Sequence, residues 1–199
     1  LSVSRRAHTD SEAPEILSKF GSLGPPGTAR KSLRIYDAAY ASASMFSESA
    51  TSALEVGCVK PSFLEHFNWI PNRVCVSPYY AGYSKVQDSA KSDEAVTYLT
   101  DDFNEWKQRE QYDLVVCMQV IEHVPNPEKT MSKLLESGKV VLVSAPYLWP
   151  DCGSKCNHLH HNISEYTIKA WAGKDPVVSL IVSEKDSGAR RLISIFLRE

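Results

Sequence analysis

The chain has 199 residues, 43% of them hydrophobic, with 22 basic against 24 acidic side chains and a net charge of −2. That length suits one domain with a full core. The balanced charge leaves no basic footprint for nucleic acid, and no apolar run approaches the ~18 residues that a membrane helix needs.

The first 30 residues are polar, and "GSLGPPGTAR" (21–30) is dense in Gly and Pro, so 1–30 reads as an arm and linker and 31–199 as the domain. Within the arm, "PEILSKF" predicts a short helix opened by Pro14. The chain begins at Leu1, and "LSVSRRAHTD" lacks the apolar core of a signal peptide, so it is read as a processed chain or a piece cut from a longer polypeptide. Helical spacing of Leu33, Tyr36, Ala39, Tyr40 and Met45 predicts a helix from Lys31 to about Phe46.

An alternation follows. Strands are predicted at 52–56 (SALEV), 73–77 (RVCVS), 95–99 (AVTYL), 113–119 (DLVVCMQ) and 139–146 (KVVLVSAP), with helices at "PSFLEHF", "YYAGYSKVQDSAK" and "PEKTMSKLLESG", the last stopped by Gly138. Short, apolar, β-branched strands between helices describe an α/β fold with a parallel sheet covered on both faces. After the fifth strand comes the loop "YLWPDCGSKCNHLHHN" and a helix opened by Ser164. The end, "PVVSLIVSEKDSGARRLISIFLRE", reads as two strands turning around Asp186-Ser187-Gly188.

The cysteine count is five, and Cys58, Cys75 and Cys117 lie in or beside apolar runs. They are read as buried thiols of a reducing cytosol rather than a disulfide framework, which predicts a cytoplasmic location.

"LEVGC" after the first strand and "YDLVVCMQVIEHVPNPEK" at the fourth resemble the motifs of the class I S-adenosylmethionine-dependent methyltransferases, over about residues 50–199. The resemblance implies a Rossmann-like, mostly parallel seven-stranded sheet with a C-terminal antiparallel hairpin. "HLHHNISEYTIKAWAGKDP" is similar to the tail of a bacterial and viral subgroup that modifies glycans, including sugar O-methyltransferase domains of viral glycosylation enzymes. It implies a sugar or glycan acceptor, plausibly a deoxysugar such as rhamnose, and a fused or neighbouring glycosyltransferase.

An open α/β sheet binds ligands beyond the carboxyl ends of its strands. The family motif assigns Glu55, Gly57 and Cys58 to the S-adenosylmethionine site, while Val59 and Pro61 stand where further glycines are usual. Ser77, beside Pro78, stands where the ribose-binding acid is usual, 20 residues after Gly57. Asp102 and Phe103 are assigned to the adenine, and the carbonyls of Met118 and Gln119 to the donor's amino group. The alternative is plain: Glu55 as a strand-end charge and Asp102 as a cap.

Methylating a hydroxyl needs a general base. His158 or His160 is expected to serve, with Asp151, His161, Tyr147, Trp149 and Tyr36 lining the acceptor site and His123 ranked behind them; solvated loop histidines are the alternative. Asp151, Cys152, Cys156 and the three loop histidines crowd together, yet they lack the distant second ligand pair of a structural zinc site, so no metal is expected. Two rival functions stay open: a non-catalytic module scaffolding a fused glycosyltransferase, favoured by Val59, Pro61 and Ser77, and a methyltransferase acting on a small metabolite or a protein nitrogen. A nicotinamide enzyme fits less well, because G-x-G-x-x-G is absent.

Overall fold

A computed structural model describes residues 33–59, 61–78, 95–107, 110–153, 156–185 and 187–198. The arm, its helix and the helix expected at 79–91 lie outside the described residues. Seven strands form one sheet: β1 (Ser52–Val56), β2 (Asn72–Val76), β3 (Thr97–Leu99), β4 (Tyr112–Met118), β5 (Gly138–Pro146), β6 (Val178–Ser183) and β7 (Arg190–Leu197), in the order β3-β2-β1-β4-β5-β7-β6. The first five run parallel, and β7 lies antiparallel between β5 and β6. Sequence and structure agree on this layout. Among the described residues, no helix is long and apolar enough to cross a membrane.

Strand pleating divides the apolar residues between two faces. Ala53, Leu114, Val116, Leu142 and Ile193 meet helix α1 (Arg34–Phe46) through Ile35, Ala39 and Ala43 on one face. Leu54, Val56, Val115, Val141 and Phe196 meet the other helices through Met131, Leu134 and Ile168. Those helices are α2 (Pro127–Ser137) and α3 (Glu165–Ala172).

Each helix is started by a different device. Asn126 accepts from the Lys129 N–H of α2, with Pro127 in the first turn. Ser164 and Thr167 form a reciprocal capping box on α3, which ends at Gly173 in the left-handed region (φ +68°). Helix α1 has no cap of its own: Glu184, far along the chain where β6 ends, accepts from the backbone N–H of Arg34 at 2.8 Å and Ile35 at 3.4 Å.

The helix expected at "PSFLEHF" is a 3-10 turn of four residues, Phe63–His66. Its N–H groups bond three residues back, Glu65 to Ser62 and Phe67 to Leu64, and close no α-helical turn. Tyr36, expected at a sugar, instead packs in the core, 3% exposed and edge-on to Phe63.

Glu55 is also redirected. Its carboxylate accepts from the Ser62 hydroxyl, whose oxygen in turn accepts from the Leu64 N–H at 3.1 Å, so it braces the turn from the buried end of β1. Burial outweighs these bonds and raises its pKa to about 7. A raised acid pKa means the folded chain holds a proton that the unfolded chain has released, so stability falls as pH rises from about 4.5 through 7. Unfolding in urea at pH 5 and pH 8 should show Glu55→Gln losing less stability than the parent, by up to ~3 kcal/mol. Equal losses would mean that Glu55 is ionised throughout.

Candidate active site

The topological switch point, where such folds bind their ligands, lies beyond the carboxyl ends of β1 and β4, from which the strand order runs in opposite directions. Gly57 turns the chain out of β1 at φ +76°, and its N–H bonds the Val76 carbonyl at 2.9 Å. A Cβ there would lie 2.4 Å from Cγ2 of Val120, so the loops after β1 and β4 touch at the glycine. One glycine therefore meets the steric demand of the turn, and Val59 projects outward, 38% exposed.

The cysteine reading needs correction. Cys58 and Cys75 form a disulfide with Cα atoms 6.0 Å apart, Cys152 and Cys156 form another, and Cys117 is the free, buried one. Parallel pairing of Glu55 with Cys75 brings the residue after Gly57 over β2, a proximity invisible in a separation of 17 residues. The bond tethers the first loop to β2.

Ser77, directly after β2, is fully buried, and its Oγ has no hydrogen-bond partner among the described residues. Pro78 beside it is exposed. Asp102 is exposed, and its Oδ1 accepts from the Asn104 N–H at 2.8 Å, as a turn cap does. Phe103 is 4% exposed within the core, with the Lys133 ammonium 4.9 Å from its ring centre, so no open aromatic face stands there.

Met118 is buried, and the chain then makes a left-handed turn at Gln119 (φ +55°). The Gln119 N–H bonds the Ser144 carbonyl at 3.0 Å, its side-chain amide donates to Ser144 Oγ at 3.0 Å, and its Oε1 accepts from Arg191. Arg191 also pairs with Glu184 at 3.2 Å and lies 5.0 Å over the Trp149 ring.

The turn delivers Glu122 and His123 to the histidine loop. The Glu122 carbonyl accepts from the N–H groups of Leu159 and His160, at 2.8 and 3.2 Å, so the two segments are fastened together. Here the four histidines separate by role. His160 donates from Nε2 to the Val124 carbonyl at 2.9 Å and packs edge-on to Trp171, a structural clamp. His161 Nε2 lies 3.3 Å from Asp151 Oδ1, and its Nδ1 is buried without a partner among the described residues. His123 Nδ1 bonds the Asn157 carbonyl at 2.7 Å.

His158 stands apart. Its ring nitrogens have no hydrogen-bond partner among the described residues, and its ring is 4.8 Å from that of His123, 6.0 Å from Trp149 and 6.3 Å from His161. Burial first, then the charges of His123, His161 and Arg191, lowers its pKa, which keeps the imidazole neutral with a lone pair available. Trp149 is held by its Nε1–H to the Arg190 carbonyl at 2.9 Å, and Tyr147 lies under the Arg190 guanidinium. The structure thus gathers His158, His161, Asp151 and Trp149, and leaves Tyr36 and His160 aside. Glu122 and Arg191 were missed; no spacing in the hairpin marks Arg191, whereas "IEHVP" did contain both Glu122 and His123.

No curated protein matches the chain. Among solved structures it is similar to the N-methyltransferase NodS from Bradyrhizobium japonicum WM9 in complex with S-adenosyl-L-homocysteine (12% identity, 81% of this chain and 86% of that one, TM-score 0.62). It is also similar to magnesium protoporphyrin IX methyltransferase from Synechocystis PCC 6803 with the same molecule bound (15%, 94% and 95%, TM-score 0.57). A third likeness is the N-terminal domain of EvdMO1 in the presence of S-adenosyl-L-homocysteine and D-fucose (13%, 98% and 100%, TM-score 0.60). At these identities the likeness is one of fold: Rossmann-like, with the antiparallel C-terminal hairpin. Residues 26–169 match the family described as methyltransferase domain, and the chain belongs to that family.

Proposed function

We propose that the chain is an S-adenosylmethionine-dependent O-methyltransferase acting on a sugar hydroxyl, that of a deoxysugar within a glycan that a fused or neighbouring glycosyltransferase builds. The observation that carries this reading is His158: a neutral imidazole with no hydrogen-bond partner among the described residues, beside the Trp149 ring and in the loop that leaves the same end of the sheet as the Gly57 turn. A domain of the same fold was crystallised in the presence of D-fucose, which is compatible with a sugar acceptor, while the fold itself is shared equally with an N-methyltransferase.

The residues present fit the donor. The Ser77 hydroxyl is buried without a partner among the described residues, and a ribose hydroxyl would satisfy it, while Gly57 brings backbone close without a side chain. Asp102 keeps an exposed carboxylate for the adenine edge even while one oxygen caps its own turn. When bound, S-adenosylmethionine supplies an electrophilic methyl group on a sulfonium.

The chain's own part is orientation and proton removal. Trp149 would offer a ring face to the acceptor, and His158 would take the proton of the acceptor hydroxyl at a ring nitrogen. His161, aligned by Asp151, is placed to accept from or donate to a second hydroxyl. Positioning supplies the remainder of the acceleration.

For the donor side, Ser77→Ala should leave the unliganded fold as stable as the parent or firmer, by about 1 kcal/mol, because an unpaired buried hydroxyl is removed. The same change should weaken S-adenosylhomocysteine in calorimetry by roughly fivefold; an unaltered affinity would place the ribose elsewhere. For the chemistry, His158→Ala should cut turnover on a rhamnose- or fucose-bearing acceptor by ~10²–10⁴-fold with donor affinity retained. His160→Ala should lower thermal stability rather than remove the pH-dependent chemistry. If His158→Ala keeps full turnover, the base is another group.

A further inference from the structure

We propose that Glu122, His123 and His158 form a binding site for a divalent transition-metal ion of the zinc class. One potential ligand atom from each lies within 4.8 Å of the other two, and His123 Nε2 is already 3.8 Å from Glu122 Oε1. Metal–ligand bonds of about 2.0–2.2 Å need the donors somewhat closer, a change that side-chain rotation can supply.

Three independent features point to a metal rather than to a chance meeting of polar groups. His123 gives its Nδ1–H to the Asn157 carbonyl at 2.7 Å, which fixes the tautomer and leaves the Nε2 lone pair facing inward. Metal-bound histidines characteristically hold their second nitrogen this way. Glu122, second, is a carboxylate only 1% exposed, and a nearby cation offsets the cost of burying its charge. Third, the two segments that carry the ligands are pinned to each other by the Leu159 and His160 N–H bonds to the Glu122 carbonyl. The segments that carry the ligands are therefore joined before any ion arrives, and only side chains need move. Arg191 contributes a nearby positive charge, but Glu184 pairs with it at 3.2 Å.

Two imidazoles and a carboxylate favour zinc, cobalt or nickel over magnesium or calcium, and three protein ligands leave coordination positions open. A second set, Cys152, Cys156 and His158, shares His158, but the two cysteines are bonded to each other here and offer no thiolate. Resting on the reading of His158 as the base, the site has a regulatory consequence. A metal bound through His158 occupies the lone pair that proton removal needs, so occupancy inhibits methyl transfer.

The test uses the chain purified free of metal. Zinc is titrated by calorimetry, and cobalt by its visible absorption, into the parent, His123→Ala, Glu122→Gln and the double variant Cys152→Ser/Cys156→Ser. The proposal expects one ion per chain in the parent and in the cysteine variant. Affinity should be at least about tenfold weaker in His123→Ala and Glu122→Gln, with circular dichroism confirming that each is folded. One of these two suffices should the other fail to fold. Absence of stoichiometric binding in the parent overturns the site, as does loss of binding in the cysteine variant alone, and both leave the methyltransferase reading intact. Zinc should also suppress methyl transfer reversibly, with activity restored by EDTA. Binding without inhibition upholds the site and removes His158 as the base.

Discussion

The left-handed turn at Gln119 organises the rest of the site. A glutamine at φ +55° holds a conformation that side chains disfavour, and it persists because the surroundings over-determine it. Ser144 on β5 binds both its backbone N–H and its side-chain amide, and Arg191 on β7 grips the amide oxygen. The turn carries the chain off β4 over Gly57 and places Glu122 and His123 against the histidine loop. Arg191 reaches Glu184, and Glu184 caps α1, so a single chain of polar contacts ties the C-terminal hairpin, the first helix and the exit of β4. The reversed last strand thus has a mechanical role beyond closing the sheet: it supplies the arginine that locks the turn.

The donor side reaches rigidity by other means than a glycine-rich loop. The Gly57 turn is held by Val120 from above, by Glu55 through the 3-10 turn below, and by the Cys58–Cys75 bond sideways. A loop fixed on three sides loses little freedom on binding a ligand, which offsets part of what the missing glycines would contribute in close backbone approach. On the acceptor side, the loop after β5 is fastened by backbone bonds to Glu122 and by the His160 clamp on Val124, which frees His158 from structural duty.

Much of the fold was legible because parallel strands buried on both faces must be short apolar runs; β1 matches its sequence-derived bounds, and the hairpin was marked by Gly188, found at φ +64°. The failures share one cause: they are contacts across the sheet or between distant segments. "PSFLEHF" has helical residues, yet Glu55 captures the Ser62 hydroxyl, Ser62 in turn caps the Leu64 N–H, and the segment is held as a 3-10 turn. Cys58 and Cys75 are neighbours through strand register alone, and Tyr36 is core because α1 lies over Phe63. At the site, the spacing identified the histidine-rich loop but could not distinguish four imidazoles. What each ring meets, Val124, Asp151, Asn157 or no partner among the described residues, is decided by backbone geometry that the sequence does not display.

The central claim is that a crevice with a single glycine, braced by a disulfide and a buried glutamate, still holds a sulfonium methyl donor. Calorimetric titration of the parent chain with S-adenosylhomocysteine tests it most directly. The account predicts saturable binding of one molecule per chain, competed away by S-adenosylmethionine. A folded chain that gives no binding heat at any attainable concentration, and no protection against thermal unfolding by the same molecule, would contradict it.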